Sequence, residues 1–108
     1  MVTDILKATG LPFRESRFLS PPNSTYAIYS DSLDRRGADT INLLTQHDIT
    51  IEVYEYSPDK NAEKSIEDEL DRRSIEYTKM PRFFIQEEQL YQVVYDFTYF
   101  SKGGQEYV

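Results

Sequence analysis

The sequence predicts an α+β domain: a mostly antiparallel four-stranded sheet with two helices packed on it, in the order α-β-β-α-β-β. Several segments alternate apolar and polar residues with period two and are rich in Tyr, Val and Ile, as in half-buried strands. One acidic segment repeats its apolar residues at four-residue spacing, which indicates an amphipathic helix. A chain of 108 residues suffices for one hydrophobic core but not for two, so residues 1–108 are expected to form a single domain.

The sheet is expected to be organised around a strand of about eleven residues, Leu90–Phe100. One of its faces carries only aromatic residues and valine: Tyr91, Val93, Tyr95, Phe97 and Tyr99. Because such a face fits a pleated, buried surface, the strand is predicted to be central, with a neighbour on each edge. The tail that follows, residues 101–108, is expected to be mobile, with Tyr107 and Val108 available to dock on a neighbouring copy.

Near the N terminus the sequence predicts a short helix and then an extended linker. Thr3 is predicted to cap the helix and Gly10 to end it. A helix this short is marginal alone, so it is expected to dock on the rest of the domain. Residues 11–24 contain three of the five prolines and are predicted to be a linker anchored by Phe13 and Phe18.

The first strand is predicted at Thr25–Ser30, and a polar segment follows it at Asp31–Thr40. This segment has turn-forming residues and no periodicity, which favours a loop. Loops of this length often carry binding residues, although a solvated hairpin connection is the competing interpretation. Arg35 and Arg36 are an adjacent basic pair that could orient an acidic patch of a partner.

Two further strands are predicted, one before and one after a helix. Ile41–Tyr56 is predicted to begin with a short strand and to become a clear strand at Ile49, where three residues are expected to face the core: Ile49, Ile51 and Val53. Ile75–Ile85 is predicted to be the third strand, and Pro81, which has no N–H to donate, places it at an edge or a bulge. A polar turn then returns the chain into the long strand, so the last two strands are predicted to form a hairpin.

The helix between these strands is predicted to run from Ser57 to Arg73, because Ser is a good N-cap and the proline after it suits the first turn. Its buried stripe is predicted to be Ala62, Ile66 and Leu70. The acidic residues of the helix, Glu63 among them, are expected to lie mostly off this stripe. Asp68 and Asp71 have the spacing of a catalytic or metal-binding pair, but an exposed acidic face is the favoured interpretation.

The composition argues against several classes of function. A net charge of -7 and the lack of a basic run argue against specific nucleic-acid binding. The absence of cysteine removes disulfides, thiolate nucleophiles and cysteine-based zinc sites. No apolar run approaches the roughly 20 residues needed to span a bilayer, and the first residues do not resemble a signal peptide. A soluble protein made in a cytoplasm, without a membrane partner, is therefore expected.

No catalytic centre is predicted. The four glycines lack the spacing of a phosphate-binding loop, and no nucleophile elbow is present. His47 is the single histidine and is interpreted as a surface residue, because no second His or Cys could share a metal with it. We therefore expect no enzyme activity, no catalytic residue, no cofactor and no metal ligand. A hydrolase that uses two carboxylates is a third hypothesis, since the chain has many.

Five stretches resemble small proteins of long-tailed phages and prophages of Gram-positive bacteria, from the head–tail morphogenesis block. These stretches are TDILKATGLPFRESRF, PPNSTYAIYS, the loop with Ala38-Asp39, IEVYEYSPDKNAEKSIEDEL and LYQVVYDFTYF. The chain is similar to the tail terminator or tail-completion proteins among them. Such proteins often have a Gly and then an aromatic residue after the Ala-Asp pair, whereas Thr40 and Ile41 follow it here.

The resemblance implies a structural virion protein that forms a ring, a hexamer, on the end of the tail tube and joins the tail to the head. Its expected partners are further copies of itself, the major tail tube protein and a head-completion or connector protein. It would lie at the head–tail joint of the virion, and in the host cytoplasm during assembly. Partner contacts are assigned to the polar loop and the tail: Asp34, Arg35, Arg36, Asp39 and Tyr107. The alternative is a small intracellular ligand-binding or regulatory module of ferredoxin-like architecture.

Overall fold

The computed structural model describes residues 1–36, 44–102 and 105–107, with residues 34–36 and 105–107 described by their backbone. The elements are α1 Val2–Thr9, β1 Phe13–Glu15, β2 Tyr26–Arg36, β3 Leu44–Glu55, α2 Lys60–Arg72, β4 Thr78–Lys79, β5 Phe83–Ile85, β6 Leu90–Lys102 and β7 Gln105–Tyr107. The α+β class and the two helices are confirmed for these parts of the chain.

The strands form one mixed sheet, so the predicted four-stranded, mostly antiparallel sheet is only partly right. The order is β1-β2-β3-β6-β4, and β5 and β7 also pair with β6. β1 runs parallel to β2, and the other pairings are antiparallel. Four of the seven strands are two or three residues long, too short to show a period in the sequence. The predicted third strand is interrupted around Pro81, and its first part, β4, lies at an edge as expected.

The long strand is central, as predicted. β6 pairs with β3 on one edge and with β4, β5 and β7 on the other, and β5 forms the expected hairpin with it. The predicted inner face of β6 is buried from Val93 to Tyr99. The residues of β3 and α2 that are expected to face the core are buried too: Ile49, Ile51, Val53, Ala62, Ile66 and Leu70. These side chains pack with Ile5 and Leu6 of α1 to form the hydrophobic core.

The described parts of the segments predicted to be a loop and a tail are strands, and residues 37–40, 103, 104 and Val108 lie outside the described residues. β2 continues through the predicted loop as far as Arg36 and pairs with β3 over its whole length. β3 is one continuous strand from Leu44, rather than a short strand followed by a clear one from Ile49. β6 continues to Lys102, and β7 pairs with it where the sequence predicts a mobile tail. These residues pair through backbone groups beyond the main core, so their polar side chains give no clear amphipathic signal.

The helix starts differ from the predicted caps. α1 begins after Met1, whose carbonyl accepts the N–H groups of Asp4 and Ile5, so Thr3 lies inside the helix. Gly10 ends it in the left-handed conformation (φ 78°), as expected. α2 is capped by Asp59 rather than Ser57. The Asp59 carboxylate accepts the Ala62 N–H at 3.0 Å, a bond that suits a cap residue directly before the first turn.

The linker anchors are confirmed. Phe18 packs edge-on against Tyr26, with ring centroids 5.2 Å apart, on the face of the sheet opposite the helices. Phe13 lies in β1 and packs against Tyr29 at 6.3 Å. The hydroxyl of Tyr56 also donates to the carbonyl of Pro22 at 2.9 Å. The segment after β1 is therefore held against this face of the sheet by aromatic contacts.

Candidate functional site

Four strands meet at one end of the sheet, where most of the predicted partner contacts lie. We call this the distal end: residues 31–36 of β2, 44–47 of β3, 99–102 of β6 and 105–107 of β7. Asp34 pairs with Gln46, Gln46 with Phe100, and Phe100 with Tyr107. Two of the predicted contact residues, Asp34 and Tyr107, therefore lie in the same row across the sheet, on its two outer strands at this end.

The remaining predicted contact residues divide between described and undescribed parts of the chain. Arg35 and Arg36 lie in β2 beside Asp34, so their backbone belongs to the distal end. Asp39 lies outside the described residues. The structure thus brings four of the five residues to one end of the sheet, on two different strands.

The distal end exposes apolar side chains that the core does not cover. Leu33 is 56% exposed, and Leu44 and Phe100 are each 37% exposed. In the core, by contrast, Ile49 and Phe97 are almost fully buried. The strand register places Leu33 on the face of the sheet that carries the core, and Leu44 and Phe100 on the other face, so these residues do not form a single apolar patch.

The outer edge of β2 is largely free of strand pairing. β1 covers it only from Ala27 to Tyr29. From residue 31 to residue 36, no strand of the described chain pairs on that side. An unpaired strand edge carries N–H and C=O groups that can bind another strand.

A polar cluster joins three strands of the distal end, and it corrects the interpretation of His47 as a surface residue. The His47 side chain is 14% exposed, and its Nδ1 lies 3.0 Å from the Asp31 carboxylate. Its Nε2 lies 2.8 Å from the hydroxyl oxygen of Ser101, and the ring stacks on Tyr99 at 4.3 Å. Only the strand register reveals these contacts, because the residues are 16 and 54 positions apart in sequence.

The order Asp31–His47–Ser101 is that of a serine hydrolase triad, but the surroundings favour a structural role. Such enzymes also need N–H donors aimed at the developing oxyanion. Ser101 lies within a strand that has neighbours on both sides, β3 and β7, so the nearby backbone N–H groups serve the sheet. The cluster therefore acts as an anchor that ties β2, β3 and β6 together beneath the distal end.

A second polar cluster lies between α2 and the opposite end of the sheet. Glu55 is fully buried (0% exposed) and Glu63 is nearly so, which corrects the prediction that Glu63 lies off the buried stripe. Arg82 Nη2 lies 2.7 Å from Glu63 Oε2, and Lys79 Nζ lies 3.1 Å from Glu63 Oε1. Lys79 also contacts Glu67 at 2.7 Å. These ion pairs fasten the segment that contains β4 and β5 to α2.

The two buried glutamates of this cluster have pKa values shifted in opposite directions. Burial, and then the hydrogen bond with Glu63, raises the pKa of Glu55 from 4.5 to about 7. Burial alone would raise the pKa of Glu63 as well, but hydrogen bonds from Glu55, Arg82 and Lys79 lower it. Oε2 of Glu55 has no hydrogen-bond partner within the described structure, so an ionised Glu55 would leave part of its charge buried and unpaired.

The described surface also has cavities. An aromatic cavity of about 470 Å³ lies under the linker, lined mainly by Phe18, Tyr26, Tyr54, Tyr56 and Leu90. A groove of about 900 Å³ at the edge of the sheet is more polar, with Asp48, Thr50, Asp96 and Thr98 on its walls. Within the described ranges no group of three acidic or histidine side chains could hold a metal ion. No helix there has the length and apolarity to cross a membrane.

Comparison with protein-family models gives no match for this sequence, and comparison with curated protein sequences gives none either.

Proposed function

We propose that this protein is a structural subunit of the head–tail joint of a long-tailed phage, where copies form a ring that ends the tail tube. The observation that carries the proposal is the position of predicted contact residues at the distal end, where they lie in one row on the two outer strands of a single sheet. A closed ring needs two different patches on each subunit, because its contacts are heterologous. β2 and β7 supply such a pair.

Two further features suit a ring subunit. The sheet is held rigid by the core at one end and by the His47 anchor at the other, so its two sides keep a fixed relative position. The chain also carries a net charge of -7, and the summed field of several such subunits around a channel would repel DNA. A conduit that lets a genome slide through benefits from such repulsion.

The test is to add the protein to purified tail tubes and to examine the tube ends by electron microscopy, with light scattering on the protein alone. We expect rings, either free or assembled on the tube end, and tubes of fixed length. Arg35→Glu should weaken ring formation, whereas Lys7→Glu, a similar charge change at an exposed residue away from the distal end, should not. A protein that stays monomeric and leaves tube ends bare would contradict the proposal.

The aromatic cavity favours one alternative, a small ligand-binding or regulatory module. Its apolar walls and the charged residues Arg17 and Glu88 at its lining could hold a small amphipathic molecule. Binding would raise the melting temperature in a metabolite screen. A hit that is lost when Tyr54 is changed to Ala, with no ring formation, would favour this function over the proposed one.

A further inference from the structure

We infer that neighbouring copies join by antiparallel strand pairing, with the free edge of β2 in one copy against β7 of the next. This inference rests on the proposed function, because it specifies how the ring would be built. Three features of the distal end support this pairing: the direction of the backbone groups, the strand register and the residue charges.

The backbone groups of β2 that point outward can be identified from the contacts with β1. The N–H of Ala27 donates to Pro12, and the carbonyl of Tyr29 accepts from Ser16, each at 2.9 Å. Backbone groups of alternate residues in a strand point to the same edge. Asp31, Leu33 and Arg35 therefore direct their N–H and C=O groups to the same side as Ala27 and Tyr29, beyond the end of β1.

The outward groups of β7 follow from the same reasoning. The carbonyl of Val94 accepts the N–H of Met80 at 2.9 Å, so the even-numbered residues of β6 direct their backbone N–H and C=O groups away from β3. Phe100 and Lys102 consequently face β7 and pair with Tyr107 and Gln105. Glu106, which lies between those two, directs its backbone groups away from β6.

The two outward edges lie at the same level of the sheet. Arg35 pairs with Thr45, Thr45 with Ser101, and Ser101 with Glu106. Each step across this four-stranded part reverses direction, so β7 runs opposite to β2. A second copy in the same orientation would therefore place its β2 antiparallel to β7 of the first, with Arg35 opposite Glu106.

A second copy of this chain fits the edge better than other occupants do. Arg35 and Glu106 have opposite charges, which favours them as directly opposed residues in neighbouring strands. A two-fold pairing of β2 with β2 would instead close a dimer and leave β7 unused. Pairing of β2 with β7 repeats from copy to copy, as a ring requires.

Cross-linking tests this geometry directly, because the chain has no cysteine. In Arg35→Cys/Glu106→Cys, treated with a short bismaleimide under assembly conditions, we expect covalent dimers, trimers and larger species up to the ring. Each single variant, and Arg17→Cys/Glu106→Cys, should give no cross-linked species. Dimers from Arg35→Cys alone would indicate two-fold pairing and overturn the inference.

Charge exchange provides a second readout that does not depend on cysteine. We expect Arg35→Glu and Glu106→Arg each to raise the protein concentration needed for assembly by roughly tenfold, because like charges would then face each other. The double variant Arg35→Glu/Glu106→Arg should assemble at about the wild-type concentration. Equal defects in the single and double variants would overturn the pairing.

The outcomes separate the inference from the proposed function. If wild-type protein assembles on tail tubes but the cysteine pair gives no ladder, strand pairing is wrong and the head–tail role stands. If wild-type protein forms no ring under any condition, both are wrong. In each case the melting temperature of the variants, compared with that of the wild type, reveals any variant that has failed to fold.

Discussion

The two ends of the sheet differ in what covers them. At the core end, both helices pack on the aromatic face of β6, and side chains such as Ile66 and Val93 are fully buried. At the distal end, Leu33 and Phe100 are exposed, and the outer edge of β2 has no strand partner among the described residues. A polar cluster around His47 replaces apolar packing there. One continuous set of strands thus runs through two very different environments.

In the proposed ring, the two ends of this small sheet have different roles: the core end stabilises the fold and the distal end joins copies. The core end supplies the buried apolar area on which stability mainly depends. The distal end can then keep its strand edges unpaired, because stability does not depend on covering them. Since β2, β3 and β6 belong to both ends, the core fixes the geometry of the distal end.

A matched pair of leucine substitutions should produce the largest difference between the two ends. Leu70 is fully buried, so Leu70→Ala should lower the free energy of unfolding by about 2–5 kcal/mol through a cavity. Leu33→Ala should change it by less than about 0.5 kcal/mol, because Leu33 is exposed, yet should weaken ring formation. Urea unfolding measures the first effect and light scattering the second. A large loss of stability in Leu33→Ala would remove the distinction between the ends.

The carboxyl pair predicts a pH dependence that arises at the core end. The pKa of Glu55 is about 7 in the folded protein, whereas its ordinary value is 4.5. At a pH between these two values, Glu55 is protonated in the folded protein but ionised in the unfolded chain. Its stabilising effect is therefore complete below about pH 4.5 and is lost as the pH rises through about 7, by on the order of 1–3 kcal/mol. Glu63 has a lowered pKa, so its contribution to stability is present above its ordinary pKa of 4.5 and is lost only as the pH falls below that value.

Glu55→Gln tests this prediction, because glutamine can donate a hydrogen bond to Glu63 without titrating. Its stability, measured by urea unfolding from pH 5 to pH 8, should be nearly constant where that of the wild type falls. Glu76→Gln, which changes an exposed carboxylate, should follow the wild type. A wild-type stability that rises from pH 5 to pH 8 would contradict the raised pKa of Glu55.

Loss of the His47 anchor should produce the smallest effect and should be local. His47→Ala removes the contacts to Asp31 and Ser101, which are worth about 1–2 kcal/mol together for a partly exposed site. Hydrogen exchange should accelerate at the distal residues of β2 and β6 while the amides of α2 keep their protection. Equal acceleration in α2 would mean that the cluster supports the whole fold.

The sequence predicts best those elements whose side chains meet the core. The alternation in β6, the inner residues of β3 and the stripe of α2 are all buried as expected, because burial imposes a period on the sequence. The extension of β2 past Ser30 leaves no such period, since its residues pair through the backbone beyond the main core. Polar composition therefore suggested a loop where there is a strand.

The polar clusters were hidden for a different reason. Glu63 lies one position from Ala62 on the predicted stripe, but only the approach of Arg82 and Lys79 makes its burial tolerable. His47 meets Asp31 and Ser101 through a strand register that no local pattern encodes. Both depend on contacts between distant parts of the chain, which is information that a single sequence does not carry.

In the proposed ring, the distal end joins copies of this protein. The most direct measurement is the mass by light scattering, with and without the tail tube protein, of the wild type and of Arg35→Glu/Arg36→Glu. We predict a ring for the wild type, and a monomer with an unchanged melting temperature for the variant. Normal ring formation by the variant, with normal tail joining, would contradict the claim and remove the distal edge of β2 from the assembly surface.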